Sequence, residues 1–199
     1  MLALPSTTQV ERRIPKEAFY KNLKLNASVR DAFIKHVEAI VFANSIKPST
    51  TYLKDGLSVH EILVVRIEPK GDELPKSVIE TVASANQNKF VIVNGSTDRI
   101  YVSAGTHKIE ADGLSALTLC GKTLDEAWDS IIAQVAFGET DGADVLGRLD
   151  RKQAIECLRN EVAALDARAR KERQVSRRND LFAQLKKKQA ELAELEKEM

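Results

Sequence analysis

Residues 148–199, RLDRKQAIECLRNEVAALDARARKERQVSRRNDLFAQLKKKQAELAELEKEM, contain neither proline nor glycine and are dense in Ala, Leu, Glu, Lys, Arg and Gln. That composition predicts a long C-terminal coiled-coil helix. Ile155, Leu158, Val162, Leu165 and Ala169 recur at alternating steps of three and four, the narrow seam of a coiled coil rather than the broader stripe of a globular helix. Leu181, Leu185, Leu192, Leu195 and Met199 form a second seam, with Lys188 where the pattern wants an apolar residue.

The two seams are out of phase. Leu165 and Leu181 occupy equivalent seam positions, yet the spacing between them exceeds two heptads by two residues. Two residues at about 100° each turn the apolar stripe by roughly 200°. One straight helix therefore cannot show both seams to one partner. Either a rod of roughly 75 Å presents its seams to different partners, or the chain folds back within 170–180 into a hairpin. The junction RKERQVSRRND (170–180) lacks glycine and proline, which favours the rod, although Ser176, Asn179 and Asp180 would suit a restart near 175–180. β-Branched Ile155 and Val162 at one seam position, with Leu158 and Leu165 at the other, predict a parallel homodimer through this helix.

The remaining residues are enough for one domain with a sizeable core. The expected organisation is a globular domain over 1–137, a linker GETDGADVLG over 138–147, and the rod over 148–199. A hydrophobic fraction of 43% argues against disorder, and a net charge of +1 sets up no global field toward nucleic acid or membrane. The charge is uneven: residues 1–147 hold 16 basic and 19 acidic side chains, and 148–199 hold 14 and 10. Two cysteines, no signal-like opening and no apolar run of membrane-spanning length predict a reduced, cytoplasmic protein.

Pro15 predicts a short helix behind a polar, extended lead, and a stronger helix is expected from Asn26 or Ser28 to about Asn44. VHEILVVRIE (59–68) reads as a central strand buried on both faces toward its end. A helix beginning at Pro75 follows, then KFVIVNG (89–95), RIYVSAG (99–105), THKIE (106–110) and ALTLCG (116–121) as strands. Thr123 and Glu126 in TLDEAWDSIIAQV (123–135) form the capping-box pattern, and Trp128 shares the apolar face of Leu124 and Ile131. The sum is an α+β domain around a mixed four- to five-stranded sheet with flanking helices.

LPSTTQVERRIPKEAFYKNL (4–23), VHEILVVRIEPK (59–70), KFVIVNGSTDRIYVSAGTHKI (89–109) and LSALTLCGKTLDEAWDSIIAQV (114–135) together resemble one bacterial domain-of-unknown-function family of about this chain length. Its members accompany helicase, DNA methyltransferase and restriction-like genes in phage-defence neighbourhoods. The resemblance implies an accessory protein of defence or DNA processing, and it implies no catalytic residues.

Chemistry-bearing motifs are few. His36, His60 and His107 are isolated, Cys120 and Cys157 stand alone, and no glycine-rich loop joins a strand to a helix in nucleotide-binding spacing, so no metal or cofactor is expected. Asp55 followed by Glu68-Pro69-Lys70 matches the acidic-then-E-x-K arrangement of Mg²⁺-dependent restriction-type nucleases, but Pro69 interrupts a segment that such a motif keeps extended. The stronger candidate is RARKERQVSRR (168–178), with six basic residues against one Glu. On a continuous helix Arg170, Arg173 and Arg177 line one stripe beside Lys171 and Arg178, suited to phosphates but without aromatics to stack bases. The sequence reads as a non-enzymatic oligomerising or adaptor subunit that joins a larger protein partner, with the basic stretch as its candidate contact to nucleic acid. A small metal-dependent nuclease is the alternative.

Overall fold

In the computed structural model, residues 2–17, 23, 25–113 and 116–197 are described. The first compact unit is Met1–Val145 and the second is Leu146–Met199.

β3, Ile62–Pro69, is the strand around which the first unit is laid down; its first four residues are all buried. A run of Ile, Leu and Val that lacks polar alternation is what a strand covered on both faces requires. Its neighbours are β2 (Val37–Ile46), antiparallel, and β4 (Lys89–Asn94), parallel. The parallel step needs a crossover, supplied by the helix α2 (Lys76–Ala83), entered at Pro75. β5 (Ile100–Ala104) and β6 (His107–Ala111) continue antiparallel, and β1 (Gln9–Ile14) pairs with β2 at the other edge. The six strands stand in the sheet in sequence order. The α+β class and mixed sheet are as expected, with six strands in place of four or five.

Both additional strands come from the N-terminal region. The long helix expected to about Asn44 ends at His36: α1 is Ala27–His36, with the Asn26 side chain accepting the Val29 N–H at 2.8 Å, and β2 starts at the next residue. Sequence periodicity misleads here because β2 carries register shifts between Val37 and Ala39 and between Phe42 and Asn44. Each such bulge adds a residue and moves the inward face one step along. Val37, Ile40, Ala43 and Ile46 are therefore buried at intervals of three, which imitates a helix. β1 contains a further shift between Gln9 and Arg12, where Glu11 has φ 47°. The short helix expected after Pro15 falls largely outside the described residues.

One face of the sheet carries Ile40, Leu63, Val65, Ile67, Phe90 and Ile92, packed with Phe33 of α1 and Val78 and Val82 of α2. The opposite face meets α3, Leu124–Phe137, which lies against β5 and β6 and buries Trp128, Ile131 and Ile132. The Thr123 hydroxyl caps α3 by accepting the Glu126 N–H, while the Glu126 carboxylate reaches back to the N–H of Lys122, one residue before the expected partner. ALTLCG is not a strand. Leu117 and Leu119 are buried, and Thr118 exchanges both backbone bonds with the Gln134 side-chain amide, each at 2.8 Å, so an α3 side chain replaces the missing neighbour strand.

The second unit consists of α4 (Val145–Lys171, whose first residue closes the first unit) and α5 (Val175–Lys197). The single rod is not formed: the helix stops at Lys171 and restarts at Val175, and Gly147 lies inside α4. Arg159 on α4 pairs with Glu196 at 2.6 Å, and Glu161 with Lys188 at 3.2 Å, which fixes an antiparallel hairpin. Reversal answers the phase problem, since two out-of-phase seams meet when the chain turns back. Ile155, Ala169 and Leu185 are buried, and Leu158, Val162, Leu165, Leu181, Leu192 and Leu195 are half-buried. Phe182 on α5 is 45% exposed. Met199 lies outside the described residues.

Candidate nucleic-acid interface

The hairpin turn changes the setting of the basic cluster. Arg168, Arg170 and Lys171 occupy the last turn of α4, Arg173 lies in the three-residue connection, and Arg177 and Arg178 fall at the start of α5. The continuous stripe expected on a rod is thus replaced by a basic tip in which two helix ends contribute. Arg170, Lys171, Arg173, Arg177 and Arg178 are all exposed. Asp166 pairs with Arg170 at 2.8 Å, and the Glu172 carboxylate is turned onto the Gln174 N–H at 2.8 Å, so it braces the turn.

The cations at the end of α4 agree with that helix's dipole. Those at the start of α5 oppose the dipole of their own helix: its first turn holds no acidic residue, and the Glu172 carboxylate accepts the Gln174 N–H just before it. A helix beginning with arginines gains from a bound anion, which would satisfy both the donors and the charge. The tip offers charge and donors suited to phosphate oxygens, with the exposed Phe182 one turn beyond Arg178 on α5 as its nearest aromatic ring along the helix.

The nuclease-like residues are dispersed. Asp55 sits in the loop before β3, where it meets His60 Nδ1 at 3.0 Å. Glu68 lies near the far end of β3, about 20 Å along the strand from its start. Its carboxylate accepts from Arg66 Nε at 2.8 Å, and Arg66 also reaches Glu11 of β1 at 3.3 Å. Lys70 donates through Nζ to the Ile34 carbonyl at 2.8 Å and so closes the end of α1. Among the described residues no three His, Cys, Asp or Glu side chains are grouped to hold a metal. A hollow between α3 and residues 140–144 collects Glu126, Asp129, Asp141 and Asp144 beside Cys120, and burial, with Asp125 adding to it, raises the Asp129 carboxyl above its ordinary value.

Two features escaped sequence reasoning. Asp125 reads as a first-turn acid of α3, yet its carboxylate accepts three backbone N–H groups, from Leu57 at 2.6 Å, Ser58 at 3.1 Å and Val59 at 2.8 Å. Burial pushes its pKa up, but the three bonds outweigh this and hold it below the ordinary value. The second is a groove between α2 and strands β4–β6, floored by Phe90, Ile92 and Tyr101. No motif marks either, because each is assembled from segments far apart in sequence.

No described helix is long and apolar enough to cross a membrane. The family described as "Domain of unknown function (DUF4391)" matches residues 2–192, and the chain belongs to it. No curated protein and no solved structure matches the chain.

Proposed function

We propose that this member of the DUF4391 family is a non-enzymatic adaptor of a bacterial DNA-processing or phage-defence assembly, in which the α+β unit docks a larger protein and the hairpin tip contacts nucleic-acid phosphates. The observation that carries this reading is the basic turn between α4 and α5, where Arg173, Arg177 and Arg178 are exposed and the first turn of α5 holds no acidic residue, Glu172 being turned onto the Gln174 N–H just before it. Steady phosphate contact needs such a charge cluster on a stiff support, and the hairpin supplies both. The coiled-coil seams, read from sequence as a homodimer surface, serve in this arrangement to stiffen that support within one chain.

The test is the behaviour of the full chain with a mixed-sequence DNA duplex in Mg²⁺. Binding without strand cleavage supports the adaptor. Mg²⁺-dependent nicking that is lost in Glu68→Ala or Lys70→Ala would overturn it in favour of the nuclease alternative. Capture of a DNA-processing enzyme by the chain in its native cell, retained after nuclease treatment, is expected for a docking subunit.

A further inference from the structure

The groove of about 170 Å³ on the first unit is bounded by α2 on one side and β4–β6 on the other. Ile79 and Ala83 of α2 form its wall, over a floor of Phe90, Ile92 and Tyr101. The Tyr101 ring is half-buried, and burial raises its hydroxyl pKa. An ion pair between Lys108 of β6 and Glu80 of α2 bridges the two sides. A second hollow shares Lys76, Ile79, Tyr101 and Glu110 with the first and extends it toward Asp72 and Glu73. The result is one elongated, apolar-floored channel.

Its rim selects a sign of charge. Of the lining cations, Lys108 is committed to Glu80 and Arg99 to Asp112, which leaves Lys76. Against it stand Asp72, Glu73 and Glu110, none of which forms an ion pair among the described residues, although Glu110 lies within the field of Arg99. An elongated apolar floor with an unneutralised acidic rim matches a peptide rather than an anion. The floor accepts an apolar side chain, and the carboxylates meet flanking lysines or arginines.

We propose that this groove docks a short basic segment of a partner protein, anchored by one aliphatic or aromatic side chain beside Tyr101. The proposal rests on the adaptor reading and gives its protein-docking surface a location. The probe is a ten-residue lysine-serine peptide with one central leucine, titrated onto the full chain by fluorescence anisotropy and by amide chemical shifts. Shifts at Ile79, Ala83 and Tyr101 are expected. Affinity should fall about tenfold in Glu73→Lys/Glu110→Lys, since reversing rim charges weakens a charge-complementary contact. In Ala83→Leu, which fills the groove from its wall, peptides with leucine or serine at the centre should bind alike. Because Ala83→Leu alters packing, the exposed charge pair stands as an independent test, each variant being checked by circular dichroism.

Equal binding of a glutamate-serine peptide with the same leucine, or affinity unchanged in the charge-reversed variant, would overturn the proposal. So would self-association of the chain that the same substitutions abolish, since the occupant would then be a second copy. Duplex binding measured on these variants separates the two readings. Loss of peptide binding in wild type with DNA binding intact sinks the groove alone, whereas intact peptide binding without DNA binding counts against the phosphate-contacting adaptor.

Discussion

Lys188 Nζ on α5 lies 3.2 Å from the Glu161 carboxylate on α4, and 2.9 Å from Glu191 on its own helix. The residue that looked like a defect in the second seam is thereby a charged cross-link of the hairpin. The hydrogen bonds to Glu191 and Glu161 raise its pKa. An ammonium at a seam position is tolerated when it reaches carboxylates at the rim, and it fixes the register in which the helices meet.

The hairpin predicts that the two seams are equivalent in cost. Leu158 and Leu192 are both half-buried, one on each helix of the antiparallel pair. Leu158→Lys and Leu192→Lys should each destabilise the second unit by about 2–4 kcal/mol, as a charge is forced into an apolar seam. Sedimentation should find a monomer across the micromolar range. A concentration-dependent dimer, with Leu158→Lys much more harmful than Leu192→Lys, would show that the first seam joins two chains instead.

Asp125 predicts a pH dependence of defined sign. Its folded pKa lies below the ordinary 3.8, so its contribution is complete above that value and is lost as pH falls through the lower folded value. Asp125→Asn should cost about 1–2 kcal/mol at neutral pH, because an amide oxygen is a weaker acceptor for the three loop N–H groups. Urea denaturation of both proteins at pH 7 and near pH 2 checks it. The gap should narrow in acid, and a constant gap would refute the assignment.

Two glycines in turns differ in what surrounds them. A Cβ on Gly56 would lie 2.6 Å from the Val59 carbonyl and 2.8 Å from the Asp125 carboxylate that anchors the loop. One on Gly95 would meet the Glu68 carboxylate at 2.0 Å, the far end of a side chain that can swing away. Gly56→Ala should therefore cost about 1–3 kcal/mol in thermal or urea unfolding. Gly95→Ala should cost less, with most of its effect removed by Glu68→Ala. Equal costs would mean that Glu68 is held more rigidly than its pairing with Arg66 implies.

The fold was legible where one element met one principle. The run from Ile62 to Ile67 announced a buried strand, and Thr123 announced the start of α3. It was illegible where irregularity imitated another pattern, as the bulges gave β2 a helical spacing. The break at residues 172–174 has no glycine or proline to mark it. It falls before Ser176, Asn179 and Asp180, which lie inside α5, because seam burial, and not local propensity, sets the turn. The basic residues of the tip were visible as a cluster, but their placement at a helix start depended on that turn. The groove beside Tyr101 was not visible, since its walls come from α2 and three strands.

Charge at the tip makes the final prediction quantitative. Each phosphate neutralised by an arginine releases counterion, so log affinity falls with log salt by about 0.9 per contact on duplex DNA. Replacing Arg170, Arg173, Arg177 and Arg178 with Gln should flatten the slope by up to about 3–4. Arg170 is partly neutralised by Asp166 at 2.8 Å, so Arg170→Gln alone should change the slope least. Arg177→Gln and Arg178→Gln remove charge from the start of α5, where cations oppose the helix dipole, and should slightly raise helix stability in DNA-free protein while weakening binding. That opposition of signs distinguishes a phosphate-contacting role from a structural one: a structural role predicts that both measurements fall together. Anisotropy across a salt series, with thermal unfolding of the same proteins, decides between them, and binding indifferent to both salt and the substitutions would remove the tip as a nucleic-acid interface.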